Sequence, residues 1–148
     1  MTTPNAAASG LVQVRDVSKT YGKRKALDGV SVSVAQGEMV ALIGPSGSGK
    51  STLLRSITGL IPIDAGAGLI RVFGETVQSS GKTSRGIRRS RAKLGFIFQQ
   101  FNLVGRLSLF SNVMLGALGR VPAWQGVLGM WPRADKERAM AALHRVGV

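Results

Sequence analysis

The alternation of apolar and polar positions predicts short strands in the first two thirds of the chain. Residues 11–17 alternate, and residues 30–34 alternate strictly as Val-Ser-Val-Ser-Val, which is the period of a half-buried strand. The apolar runs 38–43 and 95–98 lack this alternation and predict strands buried on both faces, as in a covered parallel sheet. A further short strand is predicted at 69–73.

Helical spacing appears between these runs. Leu53, Leu54, Ile57 and Leu60 fall on one side of a helix predicted over 50–60, which Gly59 and Pro62 close. The remaining segments are predicted as helices at 84–93, 108–118 (Ser108 as N-cap) and 133–146, a polar loop at 18–25 and an irregular stretch at 120–131. Strands and helices mix along the chain, so the predicted class is α/β with a central parallel element.

A phosphate-binding motif lies between the predicted strand 38–43 and the predicted helix 50–60. The motif G-x-x-x-x-G-K-[ST] is matched at every position by Gly44, Pro45, Ser46, Gly47, Ser48, Gly49, Lys50 and Ser51, and Thr52 follows directly. Its glycines let successive backbone N–H groups converge on one oxyanion, and the helix directs its N-terminal N–H groups to the same point. Lys50 is predicted to reach the β- and γ-phosphates of ATP, and Ser51 to ligate Mg²⁺. The alternative is a glycine-rich surface turn, which the flanking strand and helix patterns disfavour.

Charge narrows the class of partner. The net charge of +13 suits polyanions such as nucleotides, nucleic acid or an anionic membrane surface. A basic run is formed by Lys82, Arg85, Arg88, Arg89, Arg91 and Lys93. No aromatic residues are interleaved with it, so a solvated face beside an anionic membrane is favoured over a nucleic-acid site. Cysteine is absent, which excludes disulfides and thiolate metal sites.

Residues 99–108, with 87–92 before them and 116–119 after them, are similar to the phosphonate-import branch of the ATP-binding subunits of ABC transporters. Three segments carry the resemblance to these subunits in general. They are Ser18-Lys19-Thr20-Tyr21-Gly22 before the phosphate motif, the hairpin entry Ala26 to Val34 with Gly37-Glu38, and Gly95-Phe96-Ile97-Phe98-Gln99-Gln100-Phe101-Asn102-Leu103 after it. The resemblance implies that Tyr21 stacks on adenine, and that Gln99 completes the Mg²⁺ shell and senses the γ-phosphate. It thus implies Lys50 and Gln99 as catalytic residues, and Ser51 and Gln99 as metal ligands.

The same resemblance implies a fold and an assembly. The fold would be a P-loop NTPase of the ABC type, with a core at about 11–100 and the start of a helical subdomain at about 101–148. The implied partners are transmembrane permease subunits, a second copy of the ATPase subunit and, indirectly, a binding protein. The implied location is peripheral, on the cytoplasmic face of the inner membrane, with ATP hydrolysis powering import and no nucleic acid bound. Trp124 and Trp131 would either pack in the core or face the permease.

Several motifs that this family uses for hydrolysis do not occur in the sequence. They are the signature LSGGQ, the Walker B strand ending in Asp-Glu, and the switch histidine. Residues 60–64 come nearest to Walker B, but Pro62 disfavours a central strand and Ala65 stands where Glu is expected. His144 is interpreted as a solvated helix residue. We therefore expect the N-terminal part of a nucleotide-binding domain, which binds ATP without efficient hydrolysis. The alternatives are a non-transport ABC ATPase acting on nucleic acid or ribosomes, and a non-functional truncated product.

Overall fold

The computed structural model describes residues 11–98 and 103–147. The chain divides into two compact units, Met1–Gly95 and Phe96–Val148.

The first unit contains a sheet of five strands in the order β2-β1-β3-β4-β5. The strands are β1 (Val12–Tyr21), β2 (Arg24–Val34), β3 (Leu69–Val72), β4 (Glu75–Ser79) and β5 (Lys82–Thr83). Every neighbouring pair in this sheet is antiparallel. The strands and helices fit the α/β class, but the predicted parallel element is not found among the strands of residues 11–98.

The predicted polar loop at 18–25 is wrong, because a long hairpin occupies these residues. β1 continues to Tyr21 and β2 begins at Arg24, so that the connection is the two-residue turn Gly22–Lys23. Gly22 has φ 57°, a left-handed value that glycine adopts without steric cost. Tyr21 and Arg24 are therefore direct partners across the end of the hairpin.

The predicted buried strands at 38–43 and 95–98 are also wrong. Both segments lack regular secondary structure, and Met39, Ile43 and Ile97 are 97 %, 94 % and 98 % exposed. A strand needs a neighbour to pair its N–H and C=O groups. Within the part of the chain that the structure describes, no strand pairs with either segment.

Two helices belong to the first unit and three to the second, counted over the described residues. They are α1 (Lys50–Ile57) and α2 (Ile87–Ala92), then α3 (Leu109–Leu115), α4 (Ala123–Val127) and α5 (Arg133–Arg145). The predicted N-cap of α3 is confirmed, because the Ser108 hydroxyl accepts a hydrogen bond of 3.1 Å from the Ser111 N–H. Helix α4 falls in the stretch predicted as irregular.

The core of the first unit lies between the sheet and α1. The strands contribute Val14, Val17, Leu27, Ile70, Val72 and Val77, and α1 contributes Leu53. Ile57 and Ile87 pack against this cluster from α1 and α2. Full burial of each such side chain is worth about 1.5–3 kcal/mol, so this packing fixes α1 against the sheet.

A smaller cluster forms the core of the second unit. Met114, Ala117 and Ala139 are buried there, and Trp131 packs against them. Trp124 is 56 % exposed. Of the two predicted roles, packing therefore applies to Trp131. No helix in the described ranges has the length and apolar character needed to cross a bilayer.

Candidate functional site

The loop that precedes α1 places the phosphate motif at a helix N-terminus. Helix α1 begins at Lys50, and Gly49 before it adopts a left-handed conformation with φ 90°. The N–H groups of the first helical turn have no acceptor within the helix, because no helical turn precedes them. These N–H groups and the positive end of the helix dipole make this end of α1 suitable for an anion.

The Lys50 ammonium is folded back over the loop. It donates to the carbonyl oxygens of Gly44 and Pro45, each at 2.7 Å, and lies 3.2 Å from the Ser48 hydroxyl. All three contacts are exposed to solvent. A cation is thus held at the mouth of the loop, where a phosphate oxygen can replace a carbonyl as its partner.

The glycines of the loop are required by the close approach of β2. A Cβ on Gly49 would lie 2.2 Å from the Ala26 carbonyl oxygen and 3.2 Å from Leu27 Cδ2. A Cβ on Gly47 would lie 2.7 Å from Arg24 Nη2. A side chain at position 49 would collide with the β2 backbone and push the loop away, whereas at position 47 the flexible Arg24 guanidinium would have to move. Both positions also have a positive φ, 80° at Gly47 and 90° at Gly49, which favours glycine.

Tyr21 lies at the hairpin end that touches this loop. It is 47 % exposed, and its partner Arg24 donates a hydrogen bond of 2.7 Å from Nη2 to the Gly47 carbonyl. The Lys19 ammonium is 5.7 Å from the centre of the Tyr21 ring and 3.2 Å from Asp64 Oδ1. Burial raises the pKa of Asp64, but hydrogen bonds from Lys19 and Thr20 lower it further, so the net pKa is below its usual value. An exposed aromatic ring is therefore anchored beside the phosphate loop.

Comparison with known proteins gives the family. The family model described as ABC transporter matches residues 27–148, which is most of the chain. The chain belongs to the ABC transporter family. It is 63 % identical over 138 residues to the phosphonates import ATP-binding protein PhnC of Caulobacter vibrioides, covering 93 % of this chain and 52 % of the relative. The protein of the same name from Maricaulis maris is 61 % identical, with 93 % and 52 % covered. The chain spans about half the length of the curated relatives it matches.

Solved ABC transporter structures share the fold. A bacterial ABC transporter cassette solved as a dimer aligns with a TM-score of 0.73 at 30 % identity, over 90 % of this chain and 56 % of the other. A nucleotide-free ATP-binding cassette from an ABC transporter aligns with a TM-score of 0.66 at 27 % identity, over 92 % and 53 %. The predicted fold class, an incomplete ABC-type P-loop NTPase, is confirmed by these matches.

In this ABC transporter chain, most of the predicted site residues are brought together. The motif from Gly44 to Thr52 forms the loop and the first turn of α1, and Tyr21 is linked to the loop through Arg24. The Ser51 side chain is exposed on that first turn. Gln99, the second predicted magnesium ligand, lies outside the described residues.

The sequence patterns did not predict two residues whose side chains bind backbone carbonyls at the C-terminal end of α1 and just beyond it. Gln78 on β4 is fully buried and accepts a hydrogen bond of 3.0 Å from the Ile63 N–H. Its amide nitrogen donates to the carbonyl oxygens of Ser56 and Ile61, at 2.7 and 2.9 Å. Arg91 donates to the carbonyls of Thr58 and Gly59, just beyond α1. Neither position carried a signal, since one is a glutamine in a polar segment and the other belongs to the basic run.

The basic run is partly used inside the fold. Arg91 binds the end of α1, and the Lys93 ammonium lies 2.8 Å from Glu75 Oε1. The hydrogen bonds from Lys93 and from the Ser90 hydroxyl hold the pKa of Glu75 below its usual value. Arg85, Arg88 and Arg89 are exposed. Two of the six cations of the run therefore have partners within the fold, and all six residues are exposed.

Proposed function

We propose that the loop 44–49 and the first turn of α1 bind the phosphates of ATP. Lys50 contacts the phosphate oxygens, the N–H groups of the loop and helix surround them, and Tyr21 receives the adenine ring. Ser51, exposed on the first turn, would hold Mg²⁺ together with Gln99. Bound Mg²⁺ would neutralise part of the charge on the phosphates.

The observation that carries this proposal is the position of the Lys50 ammonium. The ammonium donates hydrogen bonds of 2.7 Å to the carbonyl oxygens of Gly44 and Pro45. It therefore lies over the loop at the N-terminal end of α1, the end of a helix that attracts anions. Gly47 and Gly49 place no side chain between the loop backbone and β2. A cation, a helix N-terminus and a side-chain-poor loop in one place form the combination that phosphate binding needs.

For the biological role, we propose an ATPase subunit that powers import of phosphonates or a related oxyanion. The support is the 63 % identity to a phosphonates import ATP-binding protein, together with a solved dimeric cassette as structural neighbour. The partners would be permease subunits, a second copy of the ATPase subunit and, indirectly, a binding protein. The subunit would then act at the cytoplasmic face of the inner membrane. The 148 residues by themselves would bind ATP and hydrolyse it poorly, because the sequence has no signature or Walker B motif.

The test of ATP binding is the pair of variants Lys50→Met and Arg55→Met. Both remove one positive charge from α1, Lys50 at its start and Arg55 in its last turn. Lys50→Met should weaken Mg-ATP binding at least about tenfold, because a hydrogen bond to a charged group is worth about 1.5–3 kcal/mol. Arg55→Met should bind ATP like the unaltered chain. Isothermal titration calorimetry measures both, and circular dichroism checks that both fold. Equal ATP affinity in the two variants would refute the assignment.

The transport role is tested by partner choice. Co-expressed permease subunits should be retained with the tagged chain after detergent extraction. Retention of RNA that falls steeply with salt, with no permease recovered, would instead support a nucleic-acid partner.

A further inference from the structure

Arg24 is a hairpin side chain that donates a hydrogen bond to the phosphate loop, although it lies outside the sequence motif. Its Nη2 donates a hydrogen bond of 2.7 Å to the Gly47 carbonyl, across 23 residues of chain. Glycine at position 47 leaves the space that the guanidinium occupies, since a Cβ there would lie 2.7 Å from Nη2. The contact therefore depends on both residues.

This hydrogen bond sets the direction of the next backbone N–H. In a planar trans peptide, the C=O of Gly47 and the N–H of Ser48 point in opposite directions. With its carbonyl held toward Arg24, the peptide turns the Ser48 N–H away from the hairpin and into the loop. There it donates to the Pro45 carbonyl oxygen at 3.3 Å, a long hydrogen bond that a charged acceptor can displace.

The same carbonyl locates the Lys50 ammonium. Lys50 Nζ lies 2.7 Å from the Pro45 oxygen and 3.2 Å from the Ser48 hydroxyl. The Ser48 N–H and the Lys50 cation thus converge on one point inside the loop. Gly47 has φ 80°, and without a side chain its peptide can rotate at little cost, so a fixed partner for its carbonyl matters.

We propose that Arg24 is a positioning residue for phosphate binding. It holds the Gly47–Ser48 peptide so that the Ser48 N–H faces the bound phosphate. This inference rests on the proposed function, that the loop binds the phosphates of ATP. Arg24 acts through the loop backbone, so its effect falls on the phosphates and not on the nucleoside.

The experiment compares Arg24→Met, Arg24→Lys and the control Lys23→Met. Lys23 is an exposed neighbour in the hairpin turn, and its variant removes the same charge from the same place. The probes are Mg-ATP and Mg-tripolyphosphate, titrated by calorimetry into the full chain. Arg24→Met should lose about five- to tenfold in affinity for both probes, as expected for an exposed, charge-assisted hydrogen bond. Arg24→Lys should recover part of the loss, and Lys23→Met should bind both probes nearly as well as the unaltered chain.

Two outcomes would overturn the proposal. One is equal affinity of Arg24→Met and Lys23→Met for both probes. The other is a loss for ATP with tripolyphosphate binding unchanged, which would place the action of Arg24 on the nucleoside. If the Lys50→Met variant loses affinity for both probes while Arg24→Met does not, the proposed ATP site is supported and only the proposed role of Arg24 is refuted. If the unaltered chain binds neither probe, both proposals fail together.

Discussion

Replacing Gln78 by leucine tests how the structure holds the end of α1. The buried amide joins β4 to the Ser56 and Ile61 carbonyls and to the Ile63 N–H. Leucine has a similar volume and can occupy the same space, but it can make none of these hydrogen bonds. The Ser56 carbonyl keeps a partner, because it also accepts a hydrogen bond of 2.9 Å from the Gly59 N–H.

The magnitude follows from the two groups that lose a partner. A buried backbone group left without a hydrogen bond costs about 1–3 kcal/mol. The Ile63 N–H bears the larger share, since its hydrogen bond is buried, while the Ile61 carbonyl is only partly buried. Allowing for the added apolar burial of leucine, we expect Gln78→Leu to lower the free energy of unfolding by about 2–4 kcal/mol. That is a large part of the roughly 5–15 kcal/mol that stabilises a typical domain.

The assay is urea unfolding followed by far-ultraviolet circular dichroism, with Thr76→Val as the control. Thr76 lies on the same strand, is only partly buried, and its hydroxyl has a long contact of 3.5 Å with Arg71. This nearly isosteric change should alter stability by no more than about 0.5 kcal/mol. The unfolding midpoint should fall in Gln78→Leu with little change in slope. A loss below about 1 kcal/mol in Gln78→Leu would refute the argument that the amide satisfies otherwise unpaired groups.

Two further predictions concern exposure and pH. Because Ile43 is 94 % exposed, Ile43→Ser should change the free energy of unfolding by under about 0.5 kcal/mol. Because Ile70 is fully buried, Ile70→Ala should lower the free energy of unfolding by about 2–5 kcal/mol. Urea unfolding of both variants decides this, and a large loss in Ile43→Ser would show that the segment 38–43 is packed. The pKa of Glu75 is lowered in the folded chain, so its ion pair with Lys93 stabilises the folded state at pH values above the ordinary carboxyl pKa of 4.5. That contribution is lost as the pH falls through the pKa of Glu75 in the folded chain. Glu75→Gln should therefore be less stable than the unaltered chain at pH 7 and equally stable at strongly acid pH; a pH-independent difference would contradict the ion pair.

The predictions that succeeded depend on residues close together in sequence. The start of α1 at Lys50 and the Ser108 cap each require only the neighbouring few residues. The supporting contacts could not be predicted in this way. Arg24 and Gly47 are 23 residues apart, Gln78 and Ser56 are 22 apart, and Arg91 and Gly59 are 32 apart. Such pairs are set by how the elements pack, and a pattern of polar and apolar positions does not contain that information.

The missed strand β4 shows a second limit. Its consecutive residues Val77 and Gln78 are both buried, so the alternation that marks a strand is broken. The pairing of β3 with β4 has an irregularity between Ile70 and Arg71, which accounts for two neighbours facing inward. No element was predicted over residues 74–78, and the glutamine is buried there because three backbone groups bind it.

The phosphate loop could be predicted although the strand expected before it does not form. Its shape depends on the glycine conformations at positions 47 and 49 and on the helix that begins at Lys50. The hairpin holds the loop from one side, since the Ala26 carbonyl and Arg24 lie against these two glycines. The sheet holds α1 from the other side, through Leu53 and the Gln78 amide. Neither support passes through residues 38–43, so a substitution that disturbs phosphate binding from a distance should lie in the hairpin or on β4 and not in that exposed segment.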